Sequence, residues 1–133
     1  MEAKTNDSAT ALMFAAQGGH AAAIAALLAA GAEVEAKDND GDTALMNAAF
    51  GGHATAIEAL LAAGAGAEAE AKDIDGRTAL MEAAAGGHAA AIAALRKAGA
   101  EVEAKNNDGW TALMFAEARK HEHAARLLRG DAM

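Results

Sequence analysis

The chain has 133 residues, one domain's worth, with 53% hydrophobic residues and a net charge of −8. That share suffices for a folded core, but alanine dominates it, with three Phe, one Trp and no Tyr; the core must rely on closely approaching helices, and the composition leans to an all-α fold. The absence of Cys excludes disulfides, a thiolate nucleophile and a zinc–sulfur site, and the acidic balance argues against nucleic acid as a partner.

From the N-terminus, residues 1–7 have no basic region followed by an apolar run, so no signal peptide is expected. The Ala/Leu stretches fall well short of the roughly 20 residues of a membrane span. Thr10-Ala11-Leu12-Met13 then opens a pattern that returns as Thr43-Ala44-Leu45-Met46, Thr78-Ala79-Leu80-Met81 and Thr111-Ala112-Leu113-Met114, at spacings of 33, 35 and 33 residues. Gly-Gly-His follows at 18–20, 51–53 and 86–88, with Arg119-Lys120-His121 in the fourth copy. Ala-Gly-Ala closes each of the first three units at 30–32, 63–65 and 98–100.

Each unit has a physical reading. Asp38-Asn39-Asp40-Gly41, Asp73-Ile74-Asp75-Gly76 and Asn106-Asn107-Asp108-Gly109 are turns, with Asx side chains bonding the local backbone and Gly supplying positive φ. Thr stands at an N-cap. Ala-Leu-Met-x-Ala-Ala is a short helix ended by the Gly pair. His-x-x-x-Ile-x-x-Leu-Leu is a second helix with one buried stripe, ending at Gly31, Gly64 or Gly99. A polar finger such as Glu33-Val34-Glu35-Ala36-Lys37 leads to the next turn. One unit cannot bury its stripe alone, so a stacked solenoid is expected.

This unit of turn, helix, helix and finger resembles the ankyrin repeat, with T-A-L-M where the family usually has T-P-L-H. The resemblance covers nearly the whole chain as a single domain, with repeats at 5–37, 38–72, 73–105 and 106–133. It implies an all-α solenoid of helix-turn-helix units joined by hairpin-like fingers. The first turn is degenerate, with Ser8 where Gly is expected, and the last repeat carries a charged dressing suited to an exposed end. Two extra residues near Gly64-Ala65-Gly66-Ala67 lengthen one finger, either as tolerated surface-loop variation or as a purposeful bend or contact.

No catalytic constellation stands out. His20, His53, His88 and His121 occupy one structural position in successive repeats, too far apart to share a zinc. His121 and His123 do not share a helix face. The glutamate pairs 33/35, 68/70 and 101/103 lie on exposed fingers, with Lys37, Lys72 and Lys105 nearby to balance them in part. The aspartates at 38, 40, 73 and 75 lack the register of a calcium loop. Gly-Gly follows a helix rather than a strand, and Ser8 is the sole serine. No enzyme activity, metal or cofactor is expected.

Positions that break the repeat carry the functional information. The residue before the Thr varies as Ala9, Asp42, Arg77 and Trp110, and the residue after Leu-Met as Phe14, Asn47, Glu82 and Phe115. Further variation falls at Gln17, Phe50, Ala85 and Ala118, and at Asn6, Asn39, Ile74 and Asn107. The resemblance implies that these line a concave face used for binding. The expected contact residues are Asp42, Asn47, Phe50, Ile74, Arg77, Glu82, Trp110 and Phe115. Trp110 leads them, because Trp and Arg are enriched at binding hot spots; its alternative is packing on its own finger or on the last repeat. The expected partner is a protein or peptide, basic at its rim, with no nucleic acid or membrane. A cytoplasmic monomer is expected. The alternative is a designed or consensus-like scaffold with no dedicated partner.

Overall fold

The computed structural model describes residues 11–34, 36–64 and 70–130. Thr43, Thr78 and Thr111 have extended backbones, and their hydroxyls accept the N–H of Met46, Met81 and Met114 at 3.2, 3.3 and 3.3 Å. Each cap satisfies an N–H the helix itself leaves free, a contribution of about 1 kcal/mol. Eight helices result among the described residues: α1 (11–18), α2 (Ala21–Ala29), α3 (Ala44–Gly51), α4 (Ala54–Ala62), α5 (Ala79–Gly86), α6 (Ala89–Lys97), α7 (Ala112–Ala118) and α8 (Glu122–Arg129).

The helices form two layers. In one, α3, α5 and α7 pack side by side; in the other, α2, α4, α6 and α8 do the same, and each hairpin ties the layers together. Ala48, Ala49, Ala83, Ala84 and Ala116 are fully buried between neighbours. Their small side chains permit the close approach that an aromatic-poor core requires. Ile57 and Leu60, then Ile92 and Leu95, form the buried stripe of the second helices. The result is the expected all-α solenoid, with no strand among the described residues.

The Gly-Gly-His motif is a joint between repeats. His53 Nε2 lies 2.9 Å from the carbonyl of Gln17, His88 Nε2 3.0 Å from that of Phe50, and His121 Nε2 3.1 Å from that of Ala85. Each ring thus caps the first helix of the preceding repeat. The glycines make room for it. A Cβ on Gly51 would meet the His53 ring of its own repeat, and one on Gly52 (φ +75°) would lie 2.4 Å from Nδ1 of His88 in the next. Lys120 holds the corresponding backbone shape in the last repeat, with φ of 62°.

Two lysines of the fingers also act as ties between them. Lys37 Nζ donates to the carbonyl of Lys72 at 3.5 Å and Lys72 Nζ to that of Lys105 at 3.0 Å, so they bridge successive fingers. Among the described residues the ion pairs are Arg77–Glu82 and Arg129–Glu117, neither of them a lysine–glutamate pair. Several expectations fall outside the described residues: the first turn with Asn6, Ser8, Ala9 and Thr10, the inserted stretch at Ala65–Ala67, and Glu35 and Glu68.

Candidate partner-binding face

The turns hold the variable side chains on fixed backbone. Oδ1 of Asp38 accepts the N–H groups of Asp40 and Asp42, each at 2.9 Å. Asp73 does the same for Asp75 and Arg77, and Asn106 for Asp108 and Trp110. The N–H of each turn-opening residue donates back to the carbonyl of Asp42, Arg77 or Trp110. Both main-chain groups of these three positions are therefore engaged. Successive turns are stitched together: Ile74 N–H donates to Asp40 O, and Asn107 N–H to Asp75 O. Asn107 Nδ2 adds a bond to Ile74 O at 2.9 Å.

A cleft of about 250 Å³ lies on this face, lined by Gln17, Asp42, Met46, Asn47, Phe50, Arg77 and Glu82. It spans three successive repeats and gathers five of the eight expected contact residues. Phe50 stands at its edge, 58% exposed. Asn47 is half-buried, its Nδ2 donating to Thr43 O.

Carboxyl groups converge at this cleft. Oxygens of Asp42, Asp73 and Glu82 lie within 4.8 Å of one another, as do those of Asp38, Asp40 and Asp42. These are the two sets among the described residues able to face one cation, although Oδ1 of Asp38 and of Asp73 is already occupied by backbone N–H groups. Burial pushes Asp42 up to about 7, reinforced by a hydrogen bond to Asp73 and by the charges of Asp38, Asp73 and Glu82. Burial also raises Glu82; Arg77 opposes that shift, and Asp73 and Asp75 add to it. Glu82 is buried and pairs with Arg77 Nη1 at 3.7 Å.

A second cluster lies alongside. Trp110 and Phe115 place their rings 5.1 Å apart at 54°, and the Arg77 guanidinium sits over the Phe115 ring, 5.5 Å from its centre. Phe115 is thereby covered, at 8% exposure. It supports Trp110 and Arg77 instead of facing outward, unlike Phe14 at the equivalent position, which is exposed. Trp110 packs on the Phe115 ring of the last repeat and keeps 38% of its surface open. Ile74 projects from its turn, exposed and away from the cleft lining.

Gln17, one of the variable positions, lines the cleft from α1. Two contributors escape a reading of the sequence as separate repeats. Met46 lines the cleft from a position identical in every repeat. Asp73 looks like turn chemistry, and is, yet its carboxyl also faces Asp42 of the preceding repeat. The signal for that pairing appears only when one repeat is laid over the next. Histidine belongs to neither acidic set, and His121 is committed to Ala85.

The architecture defines the class: a tandem-repeat solenoid of helix pairs with a variable face along its first helices and turns. The family model for ankyrin repeats (three copies) matches residues 1–73 and 62–132, and the chain belongs to the ankyrin repeat family. No curated protein matches the chain. Repeats of this family generally serve protein–protein interaction and are typically non-catalytic. No described helix is long and apolar enough to cross a membrane.

Proposed function

We propose that the chain is a non-catalytic protein- or peptide-binding module, built from repeats at 5–37, 38–72, 73–105 and 106–133. Its contact surface comprises Asp42, Asn47, Phe50, Ile74, Arg77 and Trp110, with Glu82 and Phe115 as buried supports. The observation that carries this reading is the coincidence of repeat-breaking residues with an open cleft and exposed Phe50, Ile74 and Trp110. Large apolar side chains held outward on fixed backbone suit a macromolecular contact. The neighbouring turns carry Asp38, Asp40, Asp75 and Asp108, all exposed, so the partner presents basic groups at its rim.

The test is selection from a displayed random-peptide library against the whole chain. Enriched peptides carry Lys or Arg around an apolar anchor, lose at least tenfold in affinity against Phe50→Ala or Trp110→Ala, and associate more slowly as salt rises. Enrichment of nothing, or of peptides indifferent to both substitutions, refutes the assigned face. The second reading, a scaffold with no dedicated partner, is favoured by the near-identical repeats and by the exposed alanines of α2, such as Ala22, Ala25 and Ala26. It predicts the empty selection.

A further inference from the structure

Two junctions between repeats can be compared position by position. Between the third and fourth repeats the corresponding residues are Arg77, Asn106 and Phe115, with no carboxyl among them. Between the second and third they are Asp42, Asp73 and Glu82, whose oxygens crowd within 4.8 Å. Asp42 belongs to one repeat; Asp73 and Glu82 belong to the next. Oδ1 of Asp42 is buried and accepts no hydrogen bond from the described residues, and Nε of Arg77 is buried and donates none. Arg77, the cation of the group, is divided between Glu82 and the Phe115 ring. Three negative charges at that separation, with one shared cation, are unfavourable out of bulk water. One proton placed between Asp42 and Asp73 removes a charge and supplies the missing donor.

We propose that the junction between the second and third repeats is a proton-linked latch, in which Asp42, Asp73 and Glu82 hold a shared proton that fastens one repeat to the next near neutral pH. The groups facing Asp42 are Asp38 and Asp40 of its own turn, Asp73 of the next turn and Glu82 of α5, and Glu82 is faced in turn by Arg77, Asp73 and Asp75. Helix α3 contributes no ionisable side chain, and residues 11–18 of α1 contribute none. The proton belongs to the cluster as a whole. Its sign follows from Asp42, raised from an ordinary 3.8 to about 7. The folded chain keeps a proton that the unfolded chain has released. Stability is therefore greatest below that window, falls as pH rises through it, and levels off above it.

The experiment needs no partner, so it stands apart from the binding proposal. Urea unfolding of the whole chain is followed from pH 5 to pH 8, alongside carbon-13 NMR titration of its carboxyl groups. The folding constant falls at least tenfold over that range. Full expression of the displacement would give roughly a hundredfold, and the partial exposure of Asp42 reduces it. Asp42→Asn flattens the dependence and is the more stable chain at pH 8. Asp73→Asn does the same and retains the turn, because Asn106 already performs that bond in the next repeat. A carboxyl of the three titrates above pH 6. The latch is overturned if all three titrate below pH 5, or if the asparagine variants keep the slope of the unaltered chain.

Discussion

Replacing Gly52 by alanine imposes two separable costs. The residue has φ of +75°, where an added Cβ is strained by about 1–2 kcal/mol. That Cβ would also stand 2.4 Å from Nδ1 and 2.5 Å from Cγ of His88, a contact that must displace the ring. Displacement forfeits the bond from His88 Nε2 to Phe50 O, about 1 kcal/mol, and loosens the packing of α3 on α5. The sum is about 2–4 kcal/mol. Gly99 supplies the control: its φ is +95°, nothing lies within 4 Å of its added Cβ, and Gly99→Ala costs only the strain. Urea unfolding of both variants, of His88→Ala and of the Gly52→Ala/His88→Ala pair completes a double-mutant cycle. The pair is less destabilised than the sum of the singles by about 1–2 kcal/mol, because the ring that clashed is gone. Equal losses at Gly52 and Gly99, or strict additivity in the cycle, refute the assignment of this glycine to the next repeat's histidine.

Thr78→Ala removes the hydroxyl that accepts from Met81 N–H and destabilises by about 1 kcal/mol, read by denaturant midpoint. Phe115→Ala withdraws the ring beneath Trp110 and Arg77; it costs about 3 kcal/mol and shifts the emission of the single tryptophan to longer wavelength. Lys120→Gly relieves a left-handed backbone and stabilises by about 0.5–1 kcal/mol after the entropy added to the unfolded chain, visible as a raised midpoint.

Contacts within one repeat could be read from its own residues, and contacts between repeats largely could not. The threonine caps, the Asx turns and the glycine helix stops each depend on neighbours a few positions away, so their chemistry shows in a local string. The role of Gly-Gly-His does not show there, because the second glycine answers to a ring one repeat further along. The lysines behave likewise: beside Glu33 and Glu35 in sequence Lys37 looks like a counter-charge, but its amine reaches the carbonyl of Lys72. At the candidate site, variation marked most of the cleft lining but not its depth. Position 82 and position 115 are closed because Arg77 and Trp110 lie over them, whereas Phe14 at the same place in the first repeat stays open. At position 115 burial depends on the preceding repeat as well, because Arg77 lies over the ring.

That dependence bears on how the face can change. Gln17, Phe50 and Ala85 vary in side chain, yet each carbonyl is held by the histidine of the following repeat. Asp42, Arg77 and Trp110 vary too, with N–H and C=O both held by a turn-opening Asx residue. The backbone is thus insulated from substitution, which suits rigid display of different side chains at little entropic cost on binding. The side chains themselves are not independent. Arg77 touches Glu82 within its own repeat and Phe115 in the next, while Asp42 faces Asp73 and Glu82 across one junction. A substitution at Arg77 therefore alters the charge left on Glu82 and the cover over Phe115 together. If the proposed face binds a partner, affinity changes at these positions are non-additive with their neighbours, whereas Phe50, whose ring is exposed and whose carbonyl is held by His88, acts more nearly alone.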